Sequence, residues 1–167
     1  LGGAGSLGSA AVQIAADMGA EVTATSSAHN ADLVASLGAT CVIDYATKEA
    51  LLRGAGYDVI FDTVGVTSFS AAKPALAEAG RYLCPVLTLR RLPAVLLSSL
   101  IGRKRAMFAA VGLEKQHRLR AMLAEIIILI DQGRLAPVMD RIYPLADLKE
   151  AHAYVETGHK RGNVVVV

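Results

Sequence analysis

The chain of 167 residues is one domain's worth of sequence, long enough to bury a single substantial core. Its 17 basic and 15 acidic side chains leave a net charge of +2, too small a surplus to call for nucleic acid or an acidic partner. The hydrophobic fraction of 53% suits a parallel sheet whose strands are covered on both faces.

The chain opens on Leu1-Gly2-Gly3-Ala4-Gly5-Ser6-Leu7-Gly8 and runs straight into Ser9-Ala10-Ala11-Val12-Gln13-Ile14-Ala15. Gly3, Gly5 and Gly8 spell G-x-G-x-x-G, overlapped by G-x-x-G-x-x-G from Gly2, Gly5 and Gly8. Leu7, Ala11, Ile14, Ala15 and Met18 then recur on one helical face. Glycines at a strand-to-helix turn let the backbone pass close to a pyrophosphate, and the helix N-terminus offers it N–H groups and a positive dipole end. The pattern predicts a dinucleotide site built on Gly3, Gly5, Ser6, Leu7 and Gly8. Such a turn needs a strand of about five or six residues before it, and Leu1 supplies at most one. The expectation is a C-terminal piece of a longer protein, lacking most of that first strand.

Strands and helices then alternate. Residues 21–26 read as a strand rich in β-branched side chains, and 30–37 as a short helix closed by Gly38. A strand at 41–45, a brief helix at 48–53 and a strand at 57–62 follow. A helix is expected over 68–78, ending at Gly80, with a new strand from Arg81 to Cys84. Further on, 105–111 reads as a strand. Residues 115–132 carry Leu119, Met122, Leu123, Ile126, Ile127 and Ile130, an amphipathic helix stopped by Gly133. Residues 137–143 form a strand bounded by prolines, 147–156 a helix before Gly158, and Val164 to Val167 a fully apolar last strand. The alternation predicts an α/β, doubly wound parallel sheet of Rossmann type with right-handed crossovers.

The apolar run at 92–101 contains Pro93, Ser98 and Ser99 and falls far short of the roughly 20 residues of a membrane span, so it reads as a docked helix or pocket wall. Arg90, Arg91, Arg103, Lys104 and Arg105 form a local basic cluster, read as solvated flanks of a helix. Cys41 and Cys84 make no metal-binding spacing. Both fall in predicted strands as small buried hydrophobes, which suits a reducing compartment and a cytoplasmic location.

Four segments resemble, in order and over nearly the whole chain, the C-terminal half of the medium-chain dehydrogenase/reductases, in the quinone-oxidoreductase or zinc-type alcohol dehydrogenase-like branch. They are Gly2 to Gly8 with Ala11 to Ala15; Leu37-Gly38-Ala39 leading to Val42-Ile43-Asp44-Tyr45; Tyr57 to Gly65; and Gly133-Arg134-Leu135 through Tyr143-Pro144-Leu145 to Gly158-His159-Lys160-Arg161-Gly162. The resemblance implies an N-terminal, GroES-like catalytic domain outside this chain, carrying most substrate contacts and the principal ligands of any zinc. Zinc is accordingly not expected on this segment. It also implies a cofactor domain over 1–136, and a segment 137–167 that packs back on the catalytic domain and leaves the valine strand without its natural partner here.

The residues closing the second strand, Thr25-Ser26-Ser27-Ala28-His29-Asn30, hold no carboxylate until Asp32. An Asp or Glu there would accept from the ribose hydroxyls of NADH and repel a 2′-phosphate. Its absence favours NADPH over NADH, with Ser26, Ser27, His29 and Asn30 near the adenosine end. The resemblance implies that Tyr45 lies near the 2′-phosphate and that Thr63, Val64 and Gly65 pass the nicotinamide ribose. Asp62 is expected to hydrogen-bond local backbone groups in that turn. Where relatives carry a Gly-Gly pair beside the nicotinamide, this chain has Pro85-Val86-Leu87, which places Val86 at the cofactor. Gly162-Asn163 likewise replaces the usual Gly-Lys.

His117, His152 and His159 have no partners at metal or triad spacing, and Tyr45 and Lys48 stand one residue too close for a Tyr-x-x-x-Lys pair. No residue takes a catalytic assignment. The expected function is the cofactor-binding part of an NADPH-dependent oxidoreductase transferring hydride to a quinone, enone or carbonyl acceptor. The alternatives are a zinc-dependent alcohol dehydrogenase of the same superfamily and a non-catalytic nucleotide-binding or oligomerisation module, with a methyltransferase behind them. A homodimer through the strand at 105–111 is also expected.

Overall fold

All strand pairs among the described residues run parallel, as alternating strands and helices require. The computed structural model describes residues 1–47, 56–86, 103–108 and 114–167, which fall into two compact bodies. The helix expected at 48–53, the apolar run at 92–101, Leu87, Arg90, Arg91 and the end of the strand at 109–111 lie outside the described residues.

One body comprises residues 2–44 and 123–167. Helix α1 (Ser6–Asp17) leads to strand β1 (Thr23–Ser26), then a 3-10 turn at Ala28–Asn30, helix α2 (Ala31–Ser36) and strand β2 (Cys41–Asp44). β1 and β2 pair in register, Thr23 opposite Cys41 and Ser26 opposite Asp44. Ala4, Val12, Ala24 and Val34 are buried together, with Val22, Leu37, Ala39 and Val42 packed around them. Gly38 ends α2 as its position predicts. It takes the left-handed φ of +105°, its N–H donates to Ala35, and that of Ala39 donates to Val34. Cys41 departs from expectation: it opens β2 exposed rather than buried.

The C-terminal part of this body holds strand β6 (Met139–Tyr143), helix α5 (Leu148–Glu156) and strand β7 (Asn163–Val166). β7 pairs with β6, Val164 opposite Arg141 and Val166 opposite Tyr143. The valine strand thus finds its partner inside the chain, correcting the expectation that it lacks one.

The second body comprises Leu1 and residues 45–122. Strands β3 (Tyr57–Phe61), β4 (Leu76–Cys84) and β5 (Arg105–Phe108) form one ladder in that order, with helix α3 (Phe69–Ala72) between the first two. Leu1 runs beside the end of β3: its N–H donates to Phe61, and its carbonyl accepts the N–H and hydroxyl of Thr63. Ile60, Ala72, Ala75, Leu76, Tyr82, Cys84 and Ala106 make the core.

The helix expected over 68–78 is shorter. After α3, a 3-10 turn at Lys73–Ala75 contains Pro74, and Leu76 is already extended and buried opposite Tyr57. Burying Leu76 in the ladder outweighs the helical pattern, and the register shift between Tyr57 and Val59 absorbs the intervening residues. Gly80 fits there because a Cβ would stand 2.8 Å from the Tyr57 carbonyl oxygen.

Helix α4 (Gln116–Asp131) stops at Gly133 as its sequence predicts. No residue on it is buried, and Met122, Leu123, Ile126, Ile127 and Ile130 are all at least 38% exposed.

Candidate functional site

The glycine turn is shaped by close backbone approach. A Cβ on Gly8 would lie 2.0 Å from the Gly2 carbonyl oxygen, and one on Gly3 would press Ala24 and Val34 at 3.1 Å. Gly5 is different: only the Gly2 oxygen comes within 4 Å, at 3.6 Å. Two glycines are therefore needed for packing, whereas Gly5 faces open space where a ligand can come against bare backbone. Gly5 is the N-cap of α1, no side chain caps the helix, and no acidic residue stands in its first turn. The first-turn N–H groups and the positive end of a 12-residue helix are left for an anion.

The turn is pinned to β1, since Gly3 N–H donates to the Thr25 carbonyl at 2.8 Å and Gly2 N–H to the Thr25 hydroxyl at 3.1 Å. This brings Gly3, Gly5, Ser6, Leu7 and Gly8 to the end of β1 that leads into Ser26, Ser27, His29 and Asn30. Ser26 is buried, with its hydroxyl spent on the Ser27 carbonyl at 3.0 Å, so its role is to shape the turn. Leu7 and His29 are exposed. The Asn30 Oδ1 is buried with no hydrogen-bond partner among the described residues, an acceptor open to a donor such as a ribose hydroxyl.

Sequence reasoning missed what the C-terminal segment brings here. The Lys160 ammonium donates to the Ser6 hydroxyl and to the Gly162 carbonyl at 2.8 Å. The Ser6 hydroxyl also donates to Gly162, at 2.6 Å. The Arg161 guanidinium lies 2.8 Å from His29 Nε2. Gly162 bridges to Gly5 and donates its N–H to Ala4 at 2.7 Å. Asp140 accepts the Arg161 N–H at 2.8 Å and the Tyr154 hydroxyl at 2.6 Å. Burial pushes the Asp140 carboxyl up, but those bonds and the Arg141 and Arg161 charges outweigh it and hold it below its ordinary range. The available signal was two cations directly before a glycine that must be left-handed.

The remaining predicted residues belong to the second body. Asp62 is fully buried and accepts from the N–H groups of Gly65 at 2.7 Å, Val66 at 3.2 Å and Thr67 at 2.9 Å, the local anchoring role expected of it. The Thr63–Gly65 turn and Val86 follow the ends of the adjacent strands β3 and β4. Val64 and Val86 are exposed. Tyr45 is exposed just past β2, and no described hydrogen bond joins it to these four. Among the described residues, no group of three His, Cys, Asp or Glu side chains could hold a metal ion. No described helix is long and apolar enough to cross a membrane.

Comparison with known proteins gives a consistent picture. The zinc-binding dehydrogenase family pattern matches residues 37–166. A chloroplastic quinone-oxidoreductase of Triphysaria versicolor is 34% identical, covering 97% of this chain and 49% of its own length. The structure of a quinone oxidoreductase from Coxiella burnetii matches with a TM-score of 0.80 at 29% identity, over 98% of this chain and 50% of that one. A mycobacterial protein solved in complex with NADPH matches with a TM-score of 0.75 at 26% identity, over 99% of this chain and 54% of that one. The chain spans about half the length of the curated relatives it matches.

Proposed function

Because the chain belongs to the zinc-binding dehydrogenase family, we propose that it is the cofactor-binding part of an NADPH-dependent oxidoreductase acting on a quinone, enone or other carbonyl acceptor. The observation that carries this reading is the uncapped start of α1, beside the open face of Gly5 and the ammonium of Lys160. When bound, the reduced nicotinamide supplies hydride to the acceptor. The chain's own residues bind and orient. Gly5, Leu7, Gly8 and Lys160 hold the pyrophosphate, and Asn30 Oδ1 accepts a ribose hydroxyl. Ser26 and Ser27 shape the adenosine end. Tyr45, Thr63, Val64, Gly65 and Val86 are assigned to the cofactor by family resemblance, the turn at Thr63–Gly65 being stiffened by Asp62.

The family's name implies zinc, but the described residues offer no donor set that fits it, and no step through a metal is assigned to this chain. The division at residue 136, with 137–167 facing a catalytic domain, belongs to the same proposal. So does a homodimer through the strand at 105–111, supported by the outer position of β5 in its ladder. A cytoplasmic location belongs to the same proposal, on the low cysteine content of two residues at no metal-binding spacing.

The test is a titration with NADPH followed by nicotinamide fluorescence, on the chain and on Gly5→Ala. Saturable binding that Gly5→Ala abolishes supports the reading. A folded chain that leaves the fluorescence unchanged overturns it.

A further inference from the structure

The turn after β1 carries no arginine or lysine of its own, yet the fold delivers one from 132 positions along the chain. Arginine has only donors, so the guanidinium at 2.8 Å from His29 Nε2 faces a ring nitrogen that can accept from it. Both side chains are exposed, and among the described residues no carboxylate stands within ion-pair distance of the Arg161 guanidinium. The guanidinium is held beside the imidazole and, although Asp140 feels its charge, makes no close ion pair among the described residues.

The backbone beneath it is held on both sides. Asp140 takes the Arg161 N–H. Gly162, at φ +66°, is locked against Val138, whose carbonyl oxygen would lie 2.3 Å from any Cβ there. Arg161 is thus delivered as a fixed part of the site. Lys160, one residue earlier, turns instead to Ser6 at the glycine turn, so the two adjacent cations serve two different points.

We propose that Arg161 is the specificity-determining cation for the adenosine 2′-phosphate, with His29 as the positioning residue that aims it. A phosphomonoester suits a planar guanidinium, which can donate two parallel N–H bonds to it, better than it suits a lone histidine. The inference rests on the dinucleotide reading above and adds the source of its phosphate preference.

The experiment is calorimetric titration of the chain with adenosine 2′,5′-bisphosphate and with AMP, which differ only in the 2′-phosphate. The wild-type chain is expected to bind the bisphosphate more tightly. Arg161→Ala should weaken the bisphosphate about ten- to a hundredfold, the scale of a charged hydrogen bond, and leave AMP within about twofold. Arg161→Lys should recover part of the loss, and His29→Ala should lose less than Arg161→Ala. Equal affinity of the wild type for both nucleotides, or an equal loss of both in Arg161→Ala, overturns the inference while leaving the dinucleotide site standing. Failure of the folded wild type to bind AMP, the bisphosphate or NADPH overturns both.

Discussion

The hydroxyl of Tyr82 donates to the carboxylate of Asp62 at 2.9 Å, joining two side chains that are both buried. The same hydroxyl also meets the Thr67 carbonyl at 2.9 Å, so a β4 residue and the turn after β3 share one network. Burial pushes the Asp62 carboxyl up, but bonds from Thr67, Gly65, Tyr82 and Val66 outweigh it and hold it below the ordinary carboxylate range. A carboxyl with a depressed folded pKa stabilises the fold fully above its unfolded pKa, about 3.9, and loses that contribution as pH falls from there through the folded value. Asp62→Asn should cost about 1–3 kcal/mol near neutral pH. In urea unfolding, its gap from the wild type should narrow at about pH 3. A gap that stays constant contradicts the assignment.

The two inner glycines of the turn should separate stability from binding. Gly8→Ala drives a methyl into the Gly2 carbonyl and should cost about 1–3 kcal/mol in urea unfolding. Gly5 has an ordinary extended backbone, φ −75° and ψ 172°, and open space beyond it. Gly5→Ala should therefore stay within about 0.5 kcal/mol of wild type while losing NADPH. Equal destabilisation by both substitutions speaks against the distinction.

Lys160 is assigned to the pyrophosphate, which both cofactors share. Lys160→Met should weaken NADPH and NADH alike, by about tenfold, and flatten the salt dependence of binding. A loss confined to NADPH moves Lys160 to the 2′-phosphate instead.

The two cysteines should differ sharply. Cys41 is exposed and Cys84 buried, so a thiol reagent should label the first in the native chain and the second only on unfolding. Mass spectrometry of the labelled peptides checks this, and native labelling of Cys84 contradicts the packing of β4.

What was legible in the sequence was local. The glycine turn, α1, the Gly38 cap, the Gly133 stop and the anchoring role of Asp62 depend on neighbours a few residues away, and their patterns predict them. The helix expected through Glu78 failed because pairing Leu76 with Tyr57 is a non-local gain that helical periodicity cannot report. The partner of the valine strand was missed for the same reason. Most consequential was the turn at 26–30, whose own residues include no arginine or lysine. Arg161 lies far along the chain and reaches His29 beside the bridge between Gly162 and Gly5. Its charge could be counted in the sequence, but its destination could not.

The most direct measurement is calorimetric titration of the chain with NADPH and with NADH. The account predicts binding of both, tighter for NADPH. Tighter binding of NADH contradicts the phosphate-recognising turn at Ser26–Asn30, and binding of neither by a chain with normal α/β circular dichroism contradicts the cofactor site itself.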